Sequence, residues 1–161
     1  MTYYMKHPSP LGTLTLFATE GGLCGLYFED QLHPRDTAGS AHQPTQPHLL
    51  QAVRELGQYF ASQRTRFEVA LDLAGTTFQR EAWQALCAIP FGQTASYGAQ
   101  AQRIGRPKAA RAIGGANARN PVAIIVPCHR VIGASGAATG YDGGIDRKRF
   151  LLAHEGVALH R

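Results

Sequence analysis

From Ala82 to Tyr141 the chain contains no aspartate or glutamate, although Arg103, Arg106, Lys108, Arg111, Arg119 and Arg130 all lie in that stretch. Pro90, Pro107, Pro121 and Pro127 confine it to short elements, because proline interrupts helices and central strands. Near its end an apolar run from Val122 to Val126 leads into Pro127-Cys128-His129-Arg130. A thiol beside an imidazole in cationic surroundings has two readings. The plain one is a small core residue, with the basic stretch a solvated face. The other is a reactive sulfur delivered to a polyanion. Positive surroundings favour the thiolate, moving a free-cysteine pKa of about 8.5 toward roughly 3.5 to 7.5, and the same charges would hold phosphates. The coincidence of thiol, imidazole and cations favours the second, since a structural cysteine needs neither neighbour.

The remaining chain narrows the setting. At 161 residues, with 44% hydrophobic and 17% charged residues, it can form one ordinary domain or two small ones sharing a core. The net charge of +5 arises mainly after Glu81. Before it, Glu20, Glu29, Asp30, Asp36, Glu55, Glu68 and Asp72 roughly balance Lys6, Arg35, Arg54, Arg64, Arg66 and Arg80. There is no apolar run long enough for a membrane span and no leader-like segment, so an intracellular, cytoplasmic location is expected, with no membrane partner. Cys24, Cys87 and Cys128 are odd in number and widely spaced, which fits neither a disulfide framework nor a metal site. His33, His42 and His48 fall in a polar, proline-containing loop. No metal and no cofactor are expected.

Residues 1–73 read as a small α/β unit. Thr13 to Phe17 alternate, Glu20-Gly21-Gly22 forms a turn, and Leu23 to Phe28 return as a strand, giving a hairpin. Gln31 to Pro47 reads as an irregular loop; Leu49, Val53, Leu56 and Phe60 define a helix face; Phe67, Val69 and Leu71 alternate as a further strand. Ala74-Gly75-Thr76 marks a junction, and residues 74–161 form the second domain. There Thr76 and Gln79 have capping-box form, predicting a helix over 77–88 ended by Pro90. A second helix is expected from Tyr97 to Ile104 and a third from Lys108 to Ala116, a helix-turn-helix pattern. The third carries Ala109, Ala110, Ala112, Gly114, Gly115 and Ala116, with Arg111 its one long central side chain. Glycine weakens a helix by about 1 kcal/mol relative to alanine. So slender a surface serves either tight packing within the domain or entry into a narrow nucleic-acid groove, the minor groove of B-DNA being about 6 Å wide.

Several runs together resemble the O6-alkylguanine-DNA alkyltransferases: Ser96-Tyr97-Gly98, Ala110 to Ala116, Asn120-Pro121, Pro127 to Gly133, Thr139-Gly140-Tyr141 and His154-Glu155-Gly156. The resemblance covers Thr76 to the C-terminus in order. It implies an α+β fold, with a ribonuclease H-like N-terminal unit packed on a mainly helical, winged helix-turn-helix-like domain. It implies an activity, too: a single-turnover transfer of the alkyl group from O6-alkylguanine, and from O4-alkylthymine, in double-stranded DNA to the protein's own cysteine. On this resemblance Cys128 is the nucleophile and His129 its base through a bridging water. Glu155 orients His129 and favours the imidazolium, and Asn120 braces the turn. Tyr97 assists nucleotide flipping and donates to the departing guanine, although core packing also explains its ring. Arg111 fills the vacated stack, Ala109, Ala110, Gly114 and Gly115 allow close approach, and Lys108, Arg106 and Arg119 meet phosphates. Backbone groups around Cys128, Val131 and Asp142 read the guanine edge, with Tyr141, Gly143 and Ala123 completing the pocket. A monomer is expected, with cooperative binding along DNA left open, in a bacterial cell.

Ala123 replaces a proline common among relatives, and Asp142 a small or hydroxyl residue, so both bear on the size of adduct accepted. Two other readings differ in class. A lesion-binding relative without transfer activity would lack Cys128. A cysteine hydrolase would have no use for the basic Gly/Ala helix, and adjacent Cys and His are poorly placed for a direct dyad.

Overall fold

Three strands in the first thirty residues build most of a four-stranded sheet. The computed structural model describes residues 1–138 and 140–159 and divides into two compact units, Met1–Ala74 and Gly75–Arg161. Thr139, part of one motif above, lies outside the described residues.

In the first unit, strands β1 (Tyr3–Ser9), β2 (Gly12–Thr19), β3 (Gly22–Phe28) and β4 (Ala41–His42) form a sheet of order β3-β2-β1-β4. The expected hairpin is β2–β3, antiparallel, with a register shift between Phe17 and Ala18. β1 had no sequence signal, since Lys6, His7 and Pro8 break its apolar pattern, yet it pairs with β2 from Tyr3↔Ala18 to Ser9↔Gly12. Helix α1 (Pro47–Phe60) covers the sheet through Leu49, Ala52, Leu56 and Tyr59, while Val53 and Phe60 are only partly buried. The expected strand at Phe67–Leu71 does not form beyond a single bridge between Leu23 and Leu71. Its backbone is claimed locally instead: the buried Glu55 carboxylate accepts the amides of Glu68 at 2.8 Å and Val69 at 3.1 Å.

The second unit contains α2 (Thr77–Cys87), β5 (Ala95–Ser96), α3 (Tyr97–Arg103), α4 (Ala110–Ala118), a 3-10 turn (Cys128–Arg130), β6 (Val131–Ile132) and α5 (Ile145–His154). The capping box at Thr76 is present in both directions. The third predicted helix begins two residues late and ends two residues late, because Pro107 and Lys108 are spent in the turn and Ala109 becomes the N-cap. Helices α2, α3 and α4 meet over Ala82, Ala101, Ile113 and Ala116, with Phe78, Tyr97 and Ile104 packed around them. β5 and β6 pair in parallel, Ala95 with Val131 and Ser96 with Ile132, which ties the start of α3 to the residues following the 3-10 turn.

Candidate active site

Two tight turns deliver Cys128. Ile124 has φ +68°, and the Ile125 amide donates to the Ala123 carbonyl at 2.7 Å. That is a γ-turn of the rare positive-φ kind, unfavourable for a β-branched residue. Pro127 then sits at φ −85°, ψ 63° beneath a 2.9 Å bond from the Cys128 amide to the Val126 carbonyl, an inverse γ-turn. Asn120 holds the loop together. Its Oδ1 accepts from the Val122 amide at 3.0 Å, and its Nδ2 donates to the Val126 carbonyl at 2.8 Å and to Cys128 Sγ at 3.2 Å. The Cys128–Arg130 segment is a 3-10 turn. Cys128 is half-buried and His129 fully buried.

His129 Nε2 lies 2.8 Å from Glu155 Oε2. Arg130 donates from Nε to Glu155 Oε1 at 2.8 Å, from Nη2 to Oε2 at 3.1 Å, and from Nη1 to the Ile89 carbonyl at 2.7 Å. Glu155 is the C-cap of α5. Gly156 at φ +80° follows it, and bonds from Gly156 to Ala153 and from Val157 to Leu152 complete a Schellman motif. The left-handed residue ends the helix, so the cap side chain is left to serve the site. His129 Nδ1 is buried without a hydrogen-bond partner in the protein.

The electrostatics overturn one sequence expectation and limit another. The Cys128 thiol is not acidified: burial pushes it up to about 11, against a hydrogen bond from Asn120 and the charge of Lys148, with Asp142 adding to the rise. The cations of the acid-free segment are not gathered at the sulfur, for Arg130 is bound to Glu155 and Lys108, Arg111 and Arg119 are exposed. Glu155 does favour the imidazolium, as expected, but its pull is outweighed at rest. Burial holds His129 below its ordinary value, and Arg130 and Lys148 add to that against the pull of Glu155.

Lys148 escaped the sequence reading. It is fully buried on α5, donating to the Val131 carbonyl at 2.5 Å and the Gly140 carbonyl at 3.3 Å, and desolvation lowers it to about 8. In Asp146-Arg147-Lys148-Arg149 it resembles a solvated run. The available signal was its spacing: Lys148, Leu151, Leu152 and Glu155 recur at i, i+3, i+4 and i+7, one helical face.

The remaining candidates are placed by other contacts. Tyr97 opens α3 half-exposed; a side chain built on Gly114 would meet its ring at 4.0 Å, and one on Gly140 its hydroxyl at 3.9 Å. Gly115 borders open space, and Arg111, Ala112, Lys108 and Arg119 are exposed, with Ala109 and Ala110 half-buried. Arg106 is drawn to Glu81 at 3.7 Å and lies over the Phe78 ring at 5.5 Å. Tyr141 and Asp142 are half-buried, and Val131, Ala123 and Gly143 buried. No group of three metal-binding side chains occurs among the described residues, and none of the helices is long and apolar enough to cross a membrane.

Fold and site define a class, a thiol protein set on a helix-turn-helix frame. The comparisons sharpen it. Residues 77–157 match the family described as "6-O-methylguanine DNA methyltransferase, DNA binding domain", and residues 2–73 the corresponding "ribonuclease-like domain". The chain belongs to this family, the O6-alkylguanine-DNA alkyltransferases. It is 50% identical over 155 residues to the methylated-DNA–protein-cysteine methyltransferase of Mycolicibacterium paratuberculosis, covering 96% of this chain and 93% of that one. The constitutive enzyme of that name from Bacillus subtilis is 41% identical over 161 residues, covering 98% of each. Among solved structures, Mycobacterium tuberculosis OGT in complex with DNA superposes with a TM-score of 0.88 at 50% identity, covering 95% of this chain and 92% of that one. These likenesses carry the α+β two-domain fold.

Proposed function

We propose that this protein is a methylated-DNA–protein-cysteine methyltransferase, which reverses O6-alkylguanine damage in double-stranded DNA by moving the alkyl group onto its own Cys128, and does so once. The observation that carries the reading is the Cys128 sulfur held at 3.2 Å by Asn120, next to a buried His129–Glu155 pair. The S–C bond forms as the O6–C bond breaks, and the electron pair leaves with guanine, which takes up a proton. The thiol proton passes through a bridging water to His129 Nδ1, the buried nitrogen without a protein partner, while Glu155 and Arg130 hold the ring. At rest the Cys128 thiol is held protonated, its pKa pushed up to about 11 by burial. Transfer to His129 then leaves a thiolate facing the Asn120 amide and the Lys148 ammonium, a preorganised setting for the charge.

The target base must be rotated out of the duplex, at a cost of a few kcal/mol. Arg111, on the exposed face of α4 beside Gly115, takes its place in the stack, and Tyr97 donates to the departing guanine. Lys108 and Arg119 meet phosphates; Arg106 does so only by leaving Glu81. Residues 75–161 carry both functions and residues 1–74 support them. O4-alkylthymine is a second substrate of the same reaction. Three free thiols accord with an intracellular, reducing compartment.

Incubation with an oligonucleotide bearing O6-methylguanine, followed by peptide mass mapping, should show one methyl group on Cys128 per protein and none in Cys128→Ser. Repeated turnover would indicate a hydrolase, and tight binding without modification a lesion-binding protein.

A further inference from the structure

Helix α4 is poorly equipped to hold its own position. It contains adjacent glycines, its N-cap Ala109 has no side-chain acceptor, and several of its residues, Arg111, Ala112 and Gly115 among them, face outward. Apart from Ile113 in the shared core, what anchors it lies at the C-terminal end. The Trp83 indole donates to the Ala116 carbonyl at 2.9 Å. Beside it Gln100 of α3 and Asn117 of α4 form a reciprocal amide pair: Gln100 Nε2 donates to Asn117 Oδ1 and Asn117 Nδ2 to Gln100 Oε1, each at 2.9 Å. Gln100 Nε2 also donates to the Ala82 carbonyl of α2 at 3.1 Å. Both side chains are buried, 3% and 8% exposed. One amide pair therefore joins all three helices.

Two buried amides satisfied by each other have strict geometry. An apolar pair could slide, whereas a shift of α4 along or around its axis breaks both bonds and leaves buried polar groups unpaired. Neither residue touches the thiol, and neither belongs to the motifs that identify the family.

We infer that Gln100 and Asn117 are positioning residues for DNA, fixing the rotation and height of α4 so that Arg111 enters the duplex in register with Cys128. This rests on the reading that α4 is the DNA-facing helix. It predicts a split: the pair serves reaction with a base inside duplex DNA and is dispensable for reaction with the free nucleobase O6-methylguanine, which needs no helix to deliver it.

The test compares single-turnover rates on both substrates. In Gln100→Leu/Asn117→Leu both amides are replaced by apolar groups, a change that can be nearly neutral for stability. The expected result is a duplex rate lower by about tenfold or more, since small misplacements are costly in transfer reactions, with the free-base rate unchanged. Gln100→Glu keeps the shape but loses both of its donated bonds, and should show the same split if the double variant does not fold. Gln100→Asn/Asn117→Gln, which restores an amide pair, should recover most of the duplex rate. Wild-type rates on both substrates, or a parallel fall on both, overturn the inference. Arg111→Ala runs alongside. If it lowers the duplex rate and the amide variants do not, only this inference fails; if Arg111→Ala leaves the duplex rate untouched, the assignment of α4 to DNA fails with it.

Discussion

Glu155 Oε2 lies 2.8 Å from His129 Nε2, and Arg130 holds both oxygens of the same carboxylate. The carboxylate thus has two duties, orienting the imidazole and neutralising a buried guanidinium. Glu155→Gln should slow methyl transfer by about 10² to 10⁴, the usual worth of acid–base assistance. It should also destabilise the second unit by about 3–5 kcal/mol, because Arg130 is left without a countercharge. Single-turnover rates at low temperature, with folding checked by circular dichroism, separate the effects; a folded variant reacting at the wild-type rate would rule out the proposed role.

Asn120 reaches Val122, Val126 and Cys128 from one side chain. Asn120→Ala should cost about 1–3 kcal/mol for each backbone group left unsatisfied. Asn120→Asp keeps the acceptor for Val122 but places a carboxylate against the sulfur, so the thiol should become harder to ionise. The rate of iodoacetamide modification of Cys128 against pH reads this directly. The profile of Asn120→Asp should lie to the alkaline side of wild type, and coincident profiles would remove Asn120 from thiol control.

Local signals were legible in sequence wherever neighbours decide the outcome. Thr76 and Gln79 cap α2 as their spacing requires, and Gly156 ends α5 in the left-handed conformation that places Glu155 at the site. Legibility failed where distant contacts decide. The γ-turn at Ile124 contradicts the residue's own preference and is held by Asn120 and the surrounding core. Gln100 and Asn117 are seventeen residues apart, and nothing in either neighbourhood announces the pair. The charge surplus was a misleading guide to the thiol, because desolvation by the fold outweighs cations that end on the exposed face of α4 or on Glu155.

Lys148 and Cys128 should imprint opposite pH dependences on stability. Lys148 is lowered from 10.5 to about 8, so between these values the unfolded chain binds a proton that the folded one has released, and stability rises with pH. Cys128 is raised from 9.0 to about 11; there the folded chain keeps the proton, and stability falls as pH rises. Each effect is on the order of 3 kcal/mol or less. Urea unfolding from pH 7.5 to 10.5 should show the rise in Cys128→Ser and the fall in Lys148→Met. The same slope in both variants would show that these groups are not perturbed as described. Lys148→Met should also slow methyl transfer, having lost the cation that faces the thiolate.

Asp142 should set which adducts the pocket accepts. Its charge opposes ionisation of Cys128, so it stands close enough to act on the sulfur's surroundings, and it is half-buried. A charged carboxylate near the sulfur resists covering by a large apolar group, because removing charge from water is costly. Methyl leaves the carboxylate's solvation intact, whereas a benzyl ring would displace it. Ala123, buried directly before the Ile124 turn, offers a bulky adduct less apolar surface than a proline ring there would. Methylated oligonucleotides should therefore alkylate Cys128 faster than benzylated ones. In Asp142→Ser the benzyl rate should rise more than the methyl rate, while both gain from an easier thiolate. Equal wild-type rates on the two adducts would show that neither position governs selection. A uniform gain in Asp142→Ser would assign the carboxylate to thiol ionisation alone and leave selectivity to Ala123.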